Sequence, residues 1–224
     1  MAKIVFKAGI DMSELDLSDF TGGSVGNLSR SSVTLTAGEF SATITGESFG
    51  YDFWDDQITG TAHTFTASHN GEELLVATKL DLDLGVLYSH RDDAGALIDD
   101  IFGGRDTILG SAETDVIYGF GGGDRIDGNR GADLLAGGGG ADVFVFDRRA
   151  DSTKSAPDTI LDLERKDFLD LSALGVGLED VKIRYQETLG VTMFSIDLDG
   201  DGRSDMGFLA VGDHSGFDTS HILV

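Results

Sequence analysis

Polar and apolar residues alternate along several runs within the first 92 residues. The clearest runs are SSVTLTAGEFSATITG, QITGTAHTFTASH and ELLVATKLDLDLGVLYSH, and Lys79–Leu84 in the last of them alternates strictly. A period of two in segments rich in Val, Thr and Ile predicts β-strands with one buried face. Asn70-Gly71 stands between two of these runs and predicts the turn of a hairpin. Residues 1–92 are therefore expected to form a β-rich domain.

The middle of the chain, residues 101–147, has a longer period. An aspartate returns at every ninth residue, and a large apolar residue follows two positions after each one. The aspartates are Asp106, Asp115, Asp124, Asp133 and Asp142, and the apolar residues are Ile108, Ile117, Ile126, Leu135 and Phe144. A unit of nine residues is too short for a helical repeat but suits a turn and a short strand. Such strands stack about 4.8 Å apart in a solenoid.

Glycines crowd the positions before these aspartates, and the whole pattern resembles the RTX (repeats-in-toxin) nonapeptide G-G-x-G-x-D-x-U-x, in which U is a large apolar residue. The resemblance to the RTX family extends over about residues 99–224. It implies a right-handed parallel β-roll with two nonapeptides in each turn. One edge of the roll would then carry Asp106, Asp124 and Asp142, and the other would carry Asp115 and Asp133.

The resemblance also implies calcium ions between successive loops of an edge. Ca²⁺ takes about six to eight oxygen ligands, which include carboxylates and backbone carbonyls. Glycine lets the backbone turn its carbonyls inward. We expect about three ions, two on one edge and one on the other. The expected ligand set comprises Gly104, Asp106, Asp115, Gly119, Gly121, Gly122, Asp124, Gly128, Asp133, Gly137, Gly139 and Asp142.

Two of the repeats depart from the pattern. The repeat GSAETD, which ends at Asp115, has Glu113 and Thr114 where a glycine and a variable residue are expected. Its loop is expected either to be distorted or to use Glu113 differently. The repeat of Asp106 begins with Ile101-Phe102 in place of two glycines and is expected to cap the roll. AGALIDDIF, at Ala94–Phe102, predicts a short amphipathic helix that plugs the end of the roll.

The last part of the chain, residues 148–224, returns to β-type patterns. FVFDRRADSTKSAPDTILDLERKDFLDLSAL resembles the β-rich cap that follows the repeats in RTX proteins, and FDTSHILV resembles the end of their secretion signal. The resemblance implies export by the type I secretion apparatus of a Gram-negative bacterium. The first residues lack the apolar core of a signal peptide. The chain has no cysteine, which agrees with an extracellular protein held together by metal ions instead of disulfides.

The expected fold class is therefore all-β, with a parallel roll flanked on both sides. Residues 1–92 would form the N-terminal β domain, residues 93–147 the short helix and the roll, and residues 148–224 the β-rich cap with its secretion signal.

Asp197–Asp205, with the sequence DLDGDGRSD, resembles half of an EF-hand loop. Asp197, Asp199 and Asp201 fit the first ligand positions of such a loop. Its twelfth position is Phe208, where an EF-hand needs a bidentate glutamate. The favoured interpretation is a β-hairpin turn, and a further weak calcium site at these aspartates is the alternative.

The charge of the chain restricts its partners. Its 224 residues include 40 acidic and 16 basic ones, which gives a formal net charge of −24. Nucleic acids and anionic membranes would be repelled, so neither is an expected partner. No apolar run is long enough for a transmembrane helix. Cations remain the expected partners, and extracellular polysaccharide or a cell surface remains open.

No catalytic motif emerges from the sequence. GGSVG, at Gly22–Gly26, matches a nucleophile-elbow pattern, but its β-rich surroundings lack the required context, and we interpret it as a loop. FGYDFW, at Phe49–Trp54, could form an aromatic sugar platform beside Asp52, Asp55 and Asp56, although packing is the favoured interpretation. The histidines lack the spacing of a zinc motif; they are His63, His69, His90, His214 and His221.

Three functional classes remain open at this stage. The favoured class is a secreted calcium-binding RTX protein without enzymatic activity, which would act as a binding or matrix protein. The second is a small enzyme that acts on polysaccharide or another surface polymer through Tyr51 and Trp54. The third is the C-terminal module of a longer RTX protease, lipase or epimerase.

Overall fold

The computed structural model describes residues 3–7, 24–29, 31–37, 39–52, 57–89, 96 and 101–224. Strands dominate these residues and form one sheet of 11 strands and another of 6. The expectation of an all-β protein with a parallel roll is confirmed. Among the described residues, no helix is long and apolar enough to span a membrane.

The N-terminal strands are mostly antiparallel. They are β1 (Lys3–Phe6), β2 (Ser24–Leu28), β3 (Ser32–Ala37), β4 (Phe40–Asp52), β5 (Gln57–His69) and β6 (Glu72–Asp83), and helix α1 (Leu84–Ser89) follows them. Asn70 and Gly71 connect β5 to β6 with φ angles of 52° and 83°. Two consecutive positive φ angles are typical of a type I′ turn. The predicted hairpin is therefore confirmed.

The nine-residue repeat folds into parallel strands of three residues each. They are β7 (Thr107–Leu109), β8 (Val116–Tyr118), β9 (Arg125–Asp127), β10 (Leu134–Ala136) and β11 (Val143–Val145). Odd-numbered strands lie in the large sheet and even-numbered strands in the small sheet, so successive repeats alternate between two walls. The middle residue of every strand is fully buried between the walls. Burying one such side chain contributes roughly 1.5–3 kcal/mol.

The roll continues beyond the repeats that the spacing predicts. The further strands are β12 (Thr159–Ile160), β13 (Phe168–Asp170), β14 (Val181–Gln186), β15 (Val191–Ile196), β16 (Met206–Val211) and β17 (Ile222–Leu223). β12 pairs with β10 and β16, whereas β13 pairs with β11 and β17, all of them parallel. The rings of Phe146 and Phe194 stack on Phe208, with centroids 4.1 and 4.8 Å away. The C-terminal residues thus extend both walls of the roll.

β1 joins the N-terminal strands to the roll. It pairs antiparallel with β6, which places Ile4 opposite Ala77, and parallel with β7, which places Ile4 opposite Ile108. Ile4 is fully buried in the same core as Phe65 and Ile108. The division of the chain at residue 92 stays a prediction, and a single sheet runs across it.

The helix predicted at Ala94–Phe102 falls mostly outside the described residues. Ala96, Ile101 and Phe102 are helical. Phe102 is buried, and its ring centroid lies 5.6 Å from that of Phe120. This contact is consistent with a plug at the first turn of the roll.

Candidate metal centre

The loops between the parallel strands form two rows, which we call the first and second edges of the roll. The first edge precedes strands of the large sheet and comprises residues 101–106, 119–124, 137–142 and 161–167. The second edge precedes strands of the small sheet and comprises residues 110–115, 128–133 and 146–158. Asp106, Asp124 and Asp142 lie on the first edge, and Asp115 and Asp133 lie on the second. This distribution agrees with the one that the resemblance to RTX repeats implies.

Each repeat aspartate takes part in a hydrogen bond between a backbone N–H and an aspartate carboxylate of the neighbouring turn. The backbone N–H of Asp124 donates a hydrogen bond of 2.8 Å to Oδ1 of Asp142. Equivalent bonds of 2.8 to 3.1 Å run from Asp106 to Asp124, from Asp115 to Asp133, from Asp133 to Asp158 and from Asp142 to Asp167. We call this series the carboxylate ladder. It fixes one oxygen of each accepting carboxylate.

The second oxygen of several ladder carboxylates lies in an unusual environment. Oδ2 of Asp124, Asp133 and Asp142 is buried and has no hydrogen-bond partner among the residues that the structure describes. An ionised oxygen that is buried and unpaired is strongly unfavourable. Each of these oxygens therefore needs a cation or a proton. Carboxylate oxygens are the hard ligands that Ca²⁺ prefers, so the donor set fits calcium.

The pKa values of these carboxyl groups also indicate that each group requires a cation or a proton. Burial raises the pKa of Asp124 and that of Asp133 to about 7, although ladder hydrogen bonds oppose the rise. Nearby carboxylates, such as Asp142 beside Asp124, raise the pKa further. Burial also raises the pKa of Asp142. Without a cation, these groups hold protons at pH values where an ordinary aspartate is ionised.

Glycines keep the space beside the oxygens open. A Cβ on Gly119 would lie 2.6 Å from Oδ2 of Asp124. Gly140 has a φ of 133°, and a Cβ there would collide with the carbonyl oxygen of Gly122. The other glycines expected as ligands lie on the same edges, with Gly104, Gly121, Gly137 and Gly139 on the first and Gly128 on the second.

Asp115 differs from the other repeat aspartates. Its Oδ2 accepts hydrogen bonds from the N–H of Ser111 at 2.7 Å and from its hydroxyl at 3.0 Å. Ser111 and Glu113 occupy the positions at which the repeat departs from the glycine pattern. Donors of the protein therefore bind Oδ2 of Asp115, whereas Oδ2 of Asp124 and of Asp133 has no such donor among the described residues and is available to a cation.

Three aspartates that the repeat pattern does not include also belong to the edges. Asp158 and Asp167 accept ladder hydrogen bonds, and each precedes an apolar strand residue as the repeat aspartates do. Asp167 follows Asp158 by nine positions, as in the repeat, but Asp158 follows Asp142 by 16 positions. Asp158 and Asp167 are each followed two positions later by an apolar residue, as the repeat aspartates are. This pattern is the signal that could have identified them, because only the longer interval between Asp142 and Asp158 departs from the nine-residue period.

Asp151 is the third of these aspartates and lies on the second edge. It is 2% exposed, and its Oδ2 accepts a hydrogen bond of 2.7 Å from the N–H of Arg148. Its Oδ1 is buried and has no hydrogen-bond partner within the described part of the chain. Burial raises the pKa of Asp158 to about 8, and the charges of Asp133, Asp151 and Asp127 raise it further. The second edge therefore ends in a group of mutually repelling carboxylates.

The loop Asp197–Asp205 connects β15 to β16, so the interpretation as a hairpin turn is confirmed. Carboxylate oxygens of Asp197, Asp199 and Asp205 lie within 4.8 Å of one another. The predicted third ligand, Asp201, is not in this group; its Oδ1 accepts a hydrogen bond of 2.8 Å from the N–H of Arg203.

The remaining candidates do not assemble into a site within the described residues. Ser24 begins strand β2, so the interpretation of GGSVG as a loop is wrong for Ser24–Gly26. Tyr51 and Asp52 end β4, whereas residues 53–56, with Trp54, Asp55 and Asp56, lie outside the described residues. His63 and His69 face Glu47 and Glu39, at 3.7 and 3.2 Å. His90 also lies outside the described residues.

The chain is similar to one protein family and to two solved repeat structures. A family model described as the Peptidase M10 serralysin C terminal matches residues 6–223. The solution structure of the AlgE6R3 subunit of the mannuronan C5-epimerase from Azotobacter vinelandii is 29% identical, with a TM-score of 0.44 over 54% of this chain and 74% of that chain. The AlgE6R2 subunit of the same enzyme is 31% identical, with a TM-score of 0.41 over 54% of this chain and 88% of that chain. No curated protein matches the chain. Because the family model spans nearly all residues, the chain belongs to the serralysin C-terminal family, an RTX-type calcium-binding repeat domain.

Proposed function

We propose that this chain is a secreted protein whose roll folds when calcium becomes available outside the cell. The observation that supports the proposal best is the set of buried carboxylate oxygens on the two edges. They are Oδ2 of Asp124, Asp133 and Asp142 and Oδ1 of Asp151. Bound calcium would supply the positive charge and the oxygen coordination that these atoms need.

The proposed ligands come from both edges, for about three ions in all. They are the carboxylates and carbonyls of Gly104, Asp106, Asp115, Gly119, Gly121, Gly122, Asp124, Gly128, Asp133, Gly137, Gly139 and Asp142. To these we add Asp151 and Asp158, because both are buried, Asp158 accepts a hydrogen bond from the N–H of Asp133, and the charge of Asp151 raises the pKa of Asp133 and of Asp158. Asp115 is the weakest member of the set, because Ser111 already donates to its Oδ2.

The same carboxylates explain why the roll would stay unfolded where calcium is scarce. Stacking the turns brings Asp124 close enough to Asp106 and Asp142 for their charges to raise its pKa. Ionised carboxylates held in this way repel one another in a medium of low dielectric constant. Extracellular modules bind calcium at about 10⁻⁴–10⁻³ M. Calcium at that level outside the cell would therefore supply the free energy of folding.

Export of the unfolded chain is the second part of the proposal. The C-terminal sequence FDTSHILV resembles a type I secretion signal, and the chain contains no cysteine. In the folded protein Ile222 is buried and β17 pairs with β13. We propose that the type I apparatus acts on the chain before this strand is formed, and that the protein is extracellular.

The biological role proposed first is that of a non-enzymatic binding or matrix protein, with polysaccharide or a cell surface as its partner. The second candidate is the C-terminal module of a longer RTX enzyme. The family match favours this second candidate, because the matching family is the C-terminal part of serralysin-type peptidases by its description. The three-part division at residues 92 and 147 is kept as part of the proposal.

A weaker calcium site is proposed in the hairpin loop Asp197–Asp205. Its ligands would include Asp197 and Asp199, as the sequence predicts, and Asp205 in place of Asp201. The backbone N–H groups of Gly200 and Gly202 already donate to the carboxylate of Asp197 at 2.9 and 2.7 Å. These bonds compete with a cation for the same oxygens, so we expect low affinity.

The proposal is tested by titrating calcium into chelator-treated protein while circular dichroism is recorded in parallel. We expect saturation at about three strong equivalents, together with a change from coil to β-structure. Magnesium serves as the control cation, because it demands a near-octahedral shell and dehydrates reluctantly. Absence of calcium binding, or binding to a chain that is already fully folded, would contradict the proposal.

A further inference from the structure

The second edge ends in a segment that is held by the C-terminal hairpin. Residues 146–158 separate β11 from β12 and carry Asp151. An isolated antiparallel bridge pairs Thr153 with Met206, at the start of β16. Arg149 forms an ion pair of 3.0 Å with Oδ1 of Asp205, and Nζ of Lys154 donates to the carbonyl oxygen of Ser204. The segment is therefore attached to the start of β16 and to the loop that precedes it.

Ser152 lies at the centre of this attachment and is fully buried. Its hydroxyl donates a hydrogen bond of 3.0 Å to the carbonyl oxygen of Gly207 and accepts one of 2.8 Å from the N–H of Asp158. The N–H of Gly207 donates in turn to the carbonyl oxygen of Ser152 at 3.3 Å. One side chain thus connects the backbone of Asp158 to the backbone of β16.

The two aspartates beside this connection are the carboxylates that end the second edge. Asp151 immediately precedes Ser152 in the chain, and Asp158 is bound by the Ser152 hydroxyl through its backbone N–H. Asp158 also accepts the ladder hydrogen bond from Asp133 at 3.0 Å. Ser152 therefore helps to set where both carboxylates lie relative to Asp133, together with the pairing of β12 with β10 and β16.

We propose that Ser152 is a positioning residue for the last calcium site of the second edge, and that through Ser152 this site and the hairpin β15–β16 fold as one unit. The inference rests on the proposed calcium binding by Asp133, Asp151 and Asp158. Residues that orient metal ligands without touching the metal typically contribute about 10- to 100-fold to metal affinity. Ser152 has the contacts of such a residue, because its hydroxyl donates to the backbone of Gly207 and accepts from the backbone of Asp158.

The first test compares Ser152→Ala with Ser155→Ala. Ser155 is exposed in the same segment and contacts Thr153 through a hydroxyl pair of 3.3 Å, so its loss leaves the attachment to β16 intact. In calorimetric titrations of the full chain, Ser152→Ala should weaken one calcium site by about 10- to 100-fold and leave the first-edge sites unchanged. Ser155→Ala should bind as the wild type does.

The second test measures amide hydrogen exchange of β15–β16 with and without calcium. In the wild type, calcium should increase the protection of this hairpin against exchange. In Ser152→Ala this increase should be absent at calcium levels that saturate only the first-edge sites. Arg149→Gln removes the ion pair with Asp205 at an exposed position and should weaken the same site by a smaller factor. It keeps the proposal testable if Ser152→Ala does not fold.

Each result separates the inference from the proposed function. A wild type that binds no calcium overturns both. A wild type that binds calcium, with an unchanged isotherm for Ser152→Ala, overturns the role of Ser152 alone. Equal weakening of all the sites would show a general loss of stability and would also overturn the positioning role.

Discussion

The backbone N–H of Asp124 lies 2.8 Å from Oδ1 of Asp142, one turn further along the roll. This bond divides the two oxygens of the Asp142 carboxylate between two tasks. Oδ1 holds neighbouring turns together, whereas Oδ2 is buried and meets no hydrogen-bond donor of the described residues. An asparagine could perform the first task through its carbonyl oxygen but has no negative charge for the second.

Asp142→Asn should therefore separate folding contacts from calcium binding. The ladder hydrogen bond from Asp124 is retained, and we expect the variant to bind one calcium ion fewer or to bind that ion at least about tenfold more weakly. Calorimetric titration measures both quantities. Glu187→Gln, at an exposed position of the β14–β15 turn, removes the same charge away from the edges and serves as the control. Equal isotherms for the two variants would argue against Asp142 as a ligand.

The metal-free roll should be more stable in mild acid than at alkaline pH. Burial raises the pKa of Asp124 and Asp133 from 3.8 to about 7, so the folded state binds more protons than the unfolded chain between these values. Their contribution to stability is present below the unfolded pKa and is lost as the pH rises through the folded pKa. Circular dichroism with chelator present should show β-structure decreasing as the pH rises from about 4 to about 7.

Calcium should reverse this dependence, because protons and calcium compete for the same oxygens. The apparent calcium affinity is expected to rise over the same pH interval, and the saturated protein should keep its β-structure throughout. A metal-free fold that gains stability with rising pH would contradict the assignment of raised pKa values to Asp124 and Asp133.

Gly140→Ala should damage the first edge more than an ordinary glycine substitution. Gly140 has a φ of 133°, and a methyl group there would collide with the carbonyl oxygen of Gly122. We expect the free energy of unfolding to fall by about 3 kcal/mol or more, because strain and overlap add. In Gly190→Ala, φ is 67° and no atom lies within 4 Å of the new Cβ, so the expected loss is only about 1–2 kcal/mol. Urea unfolding in saturating calcium measures the difference, and comparable losses would show that space at Gly140 is not limiting.

Ile4→Ala should weaken the N-terminal strands and the roll together. Ile4 is fully buried between Ala77 and Ile108, so truncation leaves a cavity where the two parts meet. Such cavities cost about 2–5 kcal/mol.

Trp54 is the only tryptophan, and it reports on the N-terminal part by fluorescence, while calcium titration reports on the roll. Both signals should shift in Ile4→Ala, whereas Val86→Ala, at a residue 45% exposed, should change neither. A shift in one signal alone would mean that β1 does not couple the two parts.

Much of the roll could be predicted from the spacing of residues alone. Each repeat has only a loop and a three-residue strand, so the positions of Asp124 and Asp142 relative to one another follow from the number of residues between them. The stacked short strands and the buried apolar residue of each strand could be predicted for this reason, whereas the two edges were implied by the resemblance to RTX repeats. Local periodicity specifies the structure wherever each unit contacts only its nearest neighbours.

The sequence by itself determined the period, the hairpin at Asn70-Gly71 and the acidic character of the chain, and its resemblance to RTX repeats implied the two edges. Only the tertiary structure decided the pairing of Ile4 with Ile108 and the attachment of Ser152 to Gly207, which bring together residues that are far apart in the chain. It also decided that Asp151 and Asp158 join Asp133, because a segment outside the period carries them there. Contacts of this kind depend on which surfaces remain unpaired after the local elements have formed, and no short-range pattern encodes them.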